Sequence, residues 1–188
     1  MLTKERIIKK VVIIGPESTG KTTLCSLLAK HYNSLCVEEY AREYLLKNGT
    51  NYSFENLLDV AKGQLQLEEA GTRKLETRSA AQEVQNPRLF IDTDMYVMKV
   101  WCEFVFQKCH HWILNRIVER KYDLYLLCNV DAPWVKDELR EYPDLESRRT
   151  LYHYYKDIMV NQDVPWADIS GSYDERLQKA INAVDSLT

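Results

Sequence analysis

The sequence has no apolar run near the roughly 18 residues that a membrane-spanning helix requires. Its first ten residues, MLTKERIIKK, carry scattered charge but neither an apolar stretch nor a small-residue cleavage site, so they do not read as a secretory signal. Cysteine is sparse. The five cysteines show no paired short spacing, which predicts reduced thiols in a cytoplasmic protein. Glycine (6) and proline (5) are also few. With no Pro/Gly/Ser-rich linker, repeat or low-complexity tract, one domain is expected across residues 1–188. Excess charge is missing as well: Lys and Arg total 25 against 28 Asp and Glu, a net charge of −3. That balance gives no reason to expect a nucleic acid or an anionic membrane as partner. Oligomeric state is not legible.

What is present is an alternation of buried strands and helical spacing, in a chain that is 45% hydrophobic and so able to build a core. Val11–Ile14 reads as a fully buried strand, followed by helical spacing at Leu24, Leu27, Leu28 and His31 and a short apolar run at Leu35–Val37. Tyr40–Lys47 reads as a helix ended by Asn48 and Gly49. From Phe54 to about Val84 the spacing is helical again, although Gly63 and Gly71 weaken the case for one unbroken helix. Strands are then expected at Arg88–Asp92, Leu124–Cys128 and Trp166–Ile169, with helices at Tyr96–Phe106, Arg148–Met159 and Asp174–Val184. Five strands alternating with helices predict a three-layer α/β fold, a parallel sheet covered on both faces.

The first strand runs into GPESTGKT, residues 15–22, which matches G-x-x-x-x-G-K-[ST] between a strand and a helix. Such a loop cradles phosphate: glycines let successive N–H groups converge on an anion, and the following helix adds its positive end. Gly15, Glu17, Ser18, Thr19, Gly20, Lys21, Thr22 and Thr23 are therefore the candidate ATP-binding residues, with Lys21 on the terminal phosphates and the Thr22 hydroxyl on Mg²⁺. Neither the D-x-x-G nor the N-K-x-D of a GTPase switch is present, and the third strand ends FIDTD rather than in the Asp-Glu of a motor ATPase. A small-molecule kinase needs a polar group at the tip of the second strand and a basic lid. VEEYAREY, residues 37–44, supplies Glu39 and Arg42 at the carboxyl edge of the sheet, where open α/β folds bind ligands. A solvated Glu/Arg pair at a helix start is the competing reading. The charged segment Asp131–Thr150 is the candidate lid, with Arg140, Arg148 and Arg149 able to cover the phosphates.

GPESTGKT, EEYAREY, FIDTDMYVMKVW, LYLLCNVDAPWVKDELR and SGSYDERL, in this order, resemble the ribosylnicotinamide kinase domain of NadR-type proteins, over about Val11 to Leu177. The resemblance implies a P-loop NTPase fold of the nucleoside-kinase kind and ATP-dependent phosphorylation of the 5′-hydroxyl of nicotinamide riboside. It implies that Lys21 and Thr22 serve ATP and Mg²⁺, and that Glu39, Arg42, Asp92 and Asp94 line the acceptor and metal site. It places Asp137 and Arg140 in the lid, and Ser170, Gly171, Ser172 and Tyr173 beside the adenine. Lys21, Glu39, Asp92 and Arg140 are the expected catalytic set: Glu39 orients the hydroxyl, Asp92 joins Thr22 on the metal, and Asp94 meets the ribose. Multidomain members carry further domains, for which this chain is expected to leave no room. Family members show Trp where Glu38 stands; Tyr40, Tyr96 and Trp101 are the candidates to replace it against the acceptor ring. A kinase for another nucleoside or small alcohol, and a non-catalytic ATP-binding regulator, are the alternatives.

Other conspicuous residues have simpler readings. Cys102, Cys109, His110 and His111 lack zinc-knuckle spacing and read as core thiols and their neighbours. LYHYYKD, residues 151–157, has no basic patch beside it and reads as packing rather than a platform for nucleic acid. Trp134 and Trp166, each next to a proline, read as structural.

Overall fold

A computed structural model describes residues 8–132 and 144–187. The lid residues Asp137 and Arg140, and Trp134, lie outside the described residues. The elements are β1 (Lys9–Ile14), α1 (Lys21–His31), β2 (Leu35–Val37), α2 (Tyr40–Asn48), α3 (Phe54–Ala80), β3 (Arg88–Asp92), α4 (Met95–Phe106), α5 (His111–Glu119), β4 (Leu124–Cys128), α6 (Leu145–Val160), β5 (Trp166–Ile169) and α7 (Tyr173–Asp185).

All strand pairs are parallel, in the order β2-β3-β1-β4-β5. β1 is central, with Val11 opposite both Phe90 and Leu124. Successive side chains alternate between two cores, and both are dry. Val12, Ile14, Leu89, Ile91 and Leu127 face Leu75 of α3, Val97 and Val100 of α4 and Leu151 of α6. Val11, Ile13, Phe90, Leu124 and Leu126 face Leu24 and Leu28 of α1 and Ala180 and Val184 of α7. This explains why β1 reads as a continuous apolar run: neither face meets water. Burying each of its aliphatic side chains is worth about 1.5–3 kcal/mol, enough to anchor the loop that follows. A third cluster, with Leu57, Ala61, Met98 and Ile113, joins α2 and α3 to α4 and α5.

The structure adds to the sequence reading at three points. First, α3 runs unbroken for 27 residues from a Ser53 cap. Its glycines are sites of close packing, not breaks: a Cβ at Gly63 would strike the Tyr40 ring, and one at Gly71 would sit 2.9 Å from Val37 Cγ2. Second, α5 was not expected, because only Ile113 along its length is fully buried and its apolar stripe is short. Third, Cys25 on α1 and Cys36 on β2 form a disulfide, with Cα atoms 5.9 Å apart, so three cysteines and not five are free. The separation of 11 residues hid the pair, which forms because α1 packs over the edge of the sheet where β2 lies.

Candidate functional site

The loop after β1 takes its shape from three left-handed residues. Gly15 has φ 138°, and a Cβ there would lie 2.7 Å from the Cys128 carbonyl oxygen, so the backbone approach to β4 requires glycine. Ser18 (φ 58°) and Gly20 (φ 81°) complete the curl. Gly20 also precedes α1, whose first turn receives no side-chain cap, leaving its N–H groups free for an anion. The Thr19 hydroxyl and the Lys21 ammonium both donate to the Pro16 carbonyl, at 2.8 and 2.9 Å, and hold the loop closed on itself.

Two neighbouring strands bring acids to this loop. Asp92, at the end of β3, is fully buried; its Oδ2 accepts from the Thr22 hydroxyl at 2.6 Å, and its Oδ1 has no partner among the described residues. Burial above all, then the charge of Glu39, raises the Asp92 pKa, and Lys21 works against the rise. Glu39 sits at the N-cap of α2 and accepts from the Thr93 hydroxyl at 3.4 Å.

Gln64 of α3 fastens these acids to one another, and the sequence reading did not single it out. It is 2% exposed. Its Oε1 accepts from Tyr40 N at 2.7 Å, and its Nε2 donates to the carbonyls of Glu38 (3.3 Å) and Asp92 (3.2 Å). The signal was a lone amide on the buried stripe of a helix, which requires hydrogen-bond partners in the interior.

A cavity of about 240 Å³ opens between the loop and the helices on that face of the sheet. One half is polar: the loop from Gly15 to Thr23, with Glu39 and Arg42. The other half is apolar: Ala41 and Leu45 of α2, Val97, Val100, Trp101 and Phe104 of α4, and Leu151 and Tyr155 of α6. The Trp101 indole N–H donates to the Tyr52 hydroxyl at 2.8 Å, which fixes its ring. The Tyr155 pKa is raised by burial and then by Glu39, so its hydroxyl stays protonated near that carboxylate. Leu151 and Tyr155 are four apart on one helix face; the sequence reading assigned them to packing and missed that this face walls a cavity.

The structure thus brings the phosphate-loop residues, Glu39, Arg42 and Trp101 to one cavity, with Asp92 behind Thr22. It does not bring Asp94, Tyr40 or Tyr96 to the cavity wall. Asp94 is 2% exposed and caps α4: Oδ1 accepts from Tyr96 N (2.9 Å) and Val97 N (3.3 Å), and Oδ2 from the Tyr125 hydroxyl (2.9 Å). Burial pushes its pKa up to about 7 against those hydrogen bonds. Tyr40 packs over Gly63, and the Tyr96 ring lies 5.8 Å from that of Tyr125. Arg148 is buried on α6, with Nε and Nη1 unpartnered among the described residues, whereas Arg149 is exposed. Gly171 (φ 103°) turns the chain into α7, Ser172 caps that helix, and Tyr173 is exposed beside Gly20.

A buried strand, a left-handed glycine loop, an uncapped helix and an acid on the adjoining strand define a P-loop nucleotide-binding α/β domain. The chain belongs to the AAA domain family, which it matches over residues 10–176. It is homologous to the trifunctional NAD biosynthesis/regulator protein NadR of Salmonella typhimurium, 24% identical over 190 residues, and of Escherichia coli, 24% identical over 182 residues. Those matches cover 98% and 96% of this chain but 44% and 43% of the relatives, so the chain spans less than half the length of either. A solved structure of NadR in complex with NR shares the fold at a TM-score of 0.77 and 23% identity, over 96% of this chain and 50% of that one. Thymidylate kinase from Ehrlichia chaffeensis shares it at a TM-score of 0.62 and 15% identity, over 96% and 98% of the two chains. The deoxyadenosine kinase of M. mycoides does so at 0.57 and 15%, over 94% and 99%.

Proposed function

We propose that the protein is an ATP-dependent kinase that phosphorylates the 5′-hydroxyl of nicotinamide riboside, yielding the mononucleotide for NAD synthesis. The observation that carries this reading is one cavity in which a phosphate loop and an aromatic-walled apolar half meet at Glu39. A phosphate donor fits the first half and a planar base the second. The likeness to NadR, one of whose structures is described with NR, favours a nicotinamide nucleoside as acceptor.

The Thr22 hydroxyl and the Oδ1 of Asp92, unpartnered among the described residues, are hard oxygen ligands that fit Mg²⁺, which when bound would neutralise phosphate charge. Phosphoryl transfer asks the protein mainly for alignment and charge compensation. Lys21, now on the Pro16 carbonyl, is within reach of the same cradle and compensates charge on the transferred group. Glu39 accepts a hydrogen bond from the acceptor hydroxyl and takes its proton late. Trp101, held by Tyr52, and Phe104 and Tyr155 offer ring faces to the base. Arg148, whose Nε and Nη1 have no partner among the described residues, is with Arg140 assigned to the phosphates.

ADP release, measured with nicotinamide riboside, with purine and pyrimidine nucleosides and with no acceptor, tests the reading. Nicotinamide riboside is expected to give the highest kcat/KM, with turnover of about 1–100 s⁻¹. A preference of about tenfold or more for another nucleoside would replace the acceptor and leave the kinase assignment standing. Nucleotide binding with no turnover on any acceptor would identify a regulator instead.

A further inference from the structure

We propose that Arg176 is the positioning residue that sets the phosphate loop for the donor nucleotide, by tying the back of that loop to the two chain segments beside it. The proposal rests on the donor half of the reading above and is independent of the acceptor. Arg176 lies in the first turn of α7 and is 4% exposed. All three guanidinium nitrogens are engaged: Nε donates to Gly171 O, Nη1 to Thr19 O and Nη2 to Asn129 O, each at 2.9 Å, and Nη2 is also paired with Asp131. The other Asp131 oxygen accepts from Gly171 N at 2.6 Å, closing a ring of contacts. One side chain therefore joins the phosphate loop, the exit of β4 and the turn between β5 and α7.

Packing alone does not account for an arginine here. An apolar side chain would fill the same volume without the desolvation of a buried cation, so what the guanidinium adds is direction. A trans peptide is planar, with its C=O and N–H pointing opposite ways. Drawing the Thr19 carbonyl toward Arg176 therefore turns the Gly20 N–H the other way, into the cradle, at the residue whose φ of 81° opens α1. The Gly171 carbonyl, held by the same group, sets the turn that presents Tyr173 against Gly20. The acceptor walls on α2, α4 and α6 supply none of Arg176's partners. Loss of Arg176 is thus expected on the donor side alone.

The test compares Arg176→Lys and Asp131→Asn with the wild type by calorimetric binding of AMP-PNP with Mg²⁺, together with thermal unfolding and KM for the acceptor. A lysine keeps the charge but cannot reach three divergent carbonyls, so its AMP-PNP affinity should fall about tenfold or more while unfolding stays cooperative. Asp131→Asn, which leaves the three carbonyl contacts, should lose less. Acceptor KM should stay within about twofold in both, a split that a merely structural role would not produce. A folded Arg176→Lys that binds AMP-PNP like the wild type overturns the proposal, as does an equal loss on donor and acceptor sides. Failure of both variants to fold assigns Arg176 to stability and overturns it too. Were no nucleoside phosphorylated, the kinase reading would fail while the AMP-PNP comparison still decided the role of Arg176.

Discussion

Asp92 and Asp94 stand two residues apart yet meet opposite circumstances, and their isosteric variants should separate them. Asp94 has three hydrogen bonds inside the fold, from Tyr96 N, Val97 N and the Tyr125 hydroxyl, and a pKa of about 7, against about 3.9 for a free aspartate. Between those values the folded protein holds a proton that the unfolded chain has released, so stability falls as pH rises from about 4 to about 7 and is level above. Asp94→Asn retains a good helix cap and removes the charge. Its denaturant midpoint should accordingly lose less between pH 5 and pH 8 than that of the wild type. Asp92 contributes the same sign through burial, but its Oδ1 has no partner among the described residues and its variant should be read in turnover. Asp92→Asn is expected to lose kcat together with Mg²⁺ dependence, Glu39→Gln to lose kcat with AMP-PNP binding intact, and Lys21→Ala to lose kcat far more than acceptor KM changes. Steady-state kinetics across a Mg²⁺ titration checks all three. Near wild-type kcat in Glu39→Gln would move the base to another residue. The sequence made the phosphate loop legible because its residues are contiguous and their spacing carries the mechanism. It could not show that Asp94 is taken up by partners inside the fold, since the hydroxyl that engages its Oδ2 belongs to Tyr125, 31 residues away.

Among the elements, α3 keeps the helical spacing that begins at Phe54, and its glycines are the part that spacing does not explain. Gly63 and Gly71 were weighed by helix propensity, a local cost of about 1 kcal/mol each, whereas the tertiary approach of Tyr40 and Val37 is what they serve. Gly63→Ala would raise propensity yet collide with the Tyr40 ring, one residue from Glu39. A net destabilisation of about 1–3 kcal/mol is expected, with kcat reduced. A urea midpoint that rises toward the propensity value would show that α2 yields without cost. The five strands were legible because sheets buried on both faces leave continuous apolar runs. α5 was not, because its stripe is short and its N-terminal neighbours, Cys109 and His110, read only as a core thiol and its neighbour. His110 is instead engaged by the α3 start, its ring stacked on Phe54 at 3.7 Å and its Nε2 2.9 Å from the Phe54 carbonyl. Gln64, Leu151 and Tyr155 escaped for a related reason: a helical stripe shows which side is buried, not whether a cavity lies under it.

At the scale of the whole molecule, the Cys25–Cys36 disulfide ties the helix that follows the phosphate loop to the edge strand that leads to Glu39. By chain-entropy arithmetic, a loop this short stabilises by about 2–3 kcal/mol, so reduction should lower the denaturation midpoint accordingly. Thiol titration of the denatured protein should give three free thiols before reduction and five after. Five before reduction would remove the bridge. The order of the strands has another outcome, which concerns how the molecule comes to exist. β1 is the first strand in the chain, but its neighbours are Arg88–Asp92 and Leu124–Cys128. A chain still being synthesised holds an apolar strand with two open amide edges until β3 has emerged, and with one until β4 has. Gly15 cannot settle against Cys128 before then, so the nucleotide site cannot form until β4 is in place. ATP therefore cannot template early folding, and the nascent chain's hazard is intermolecular pairing at β1.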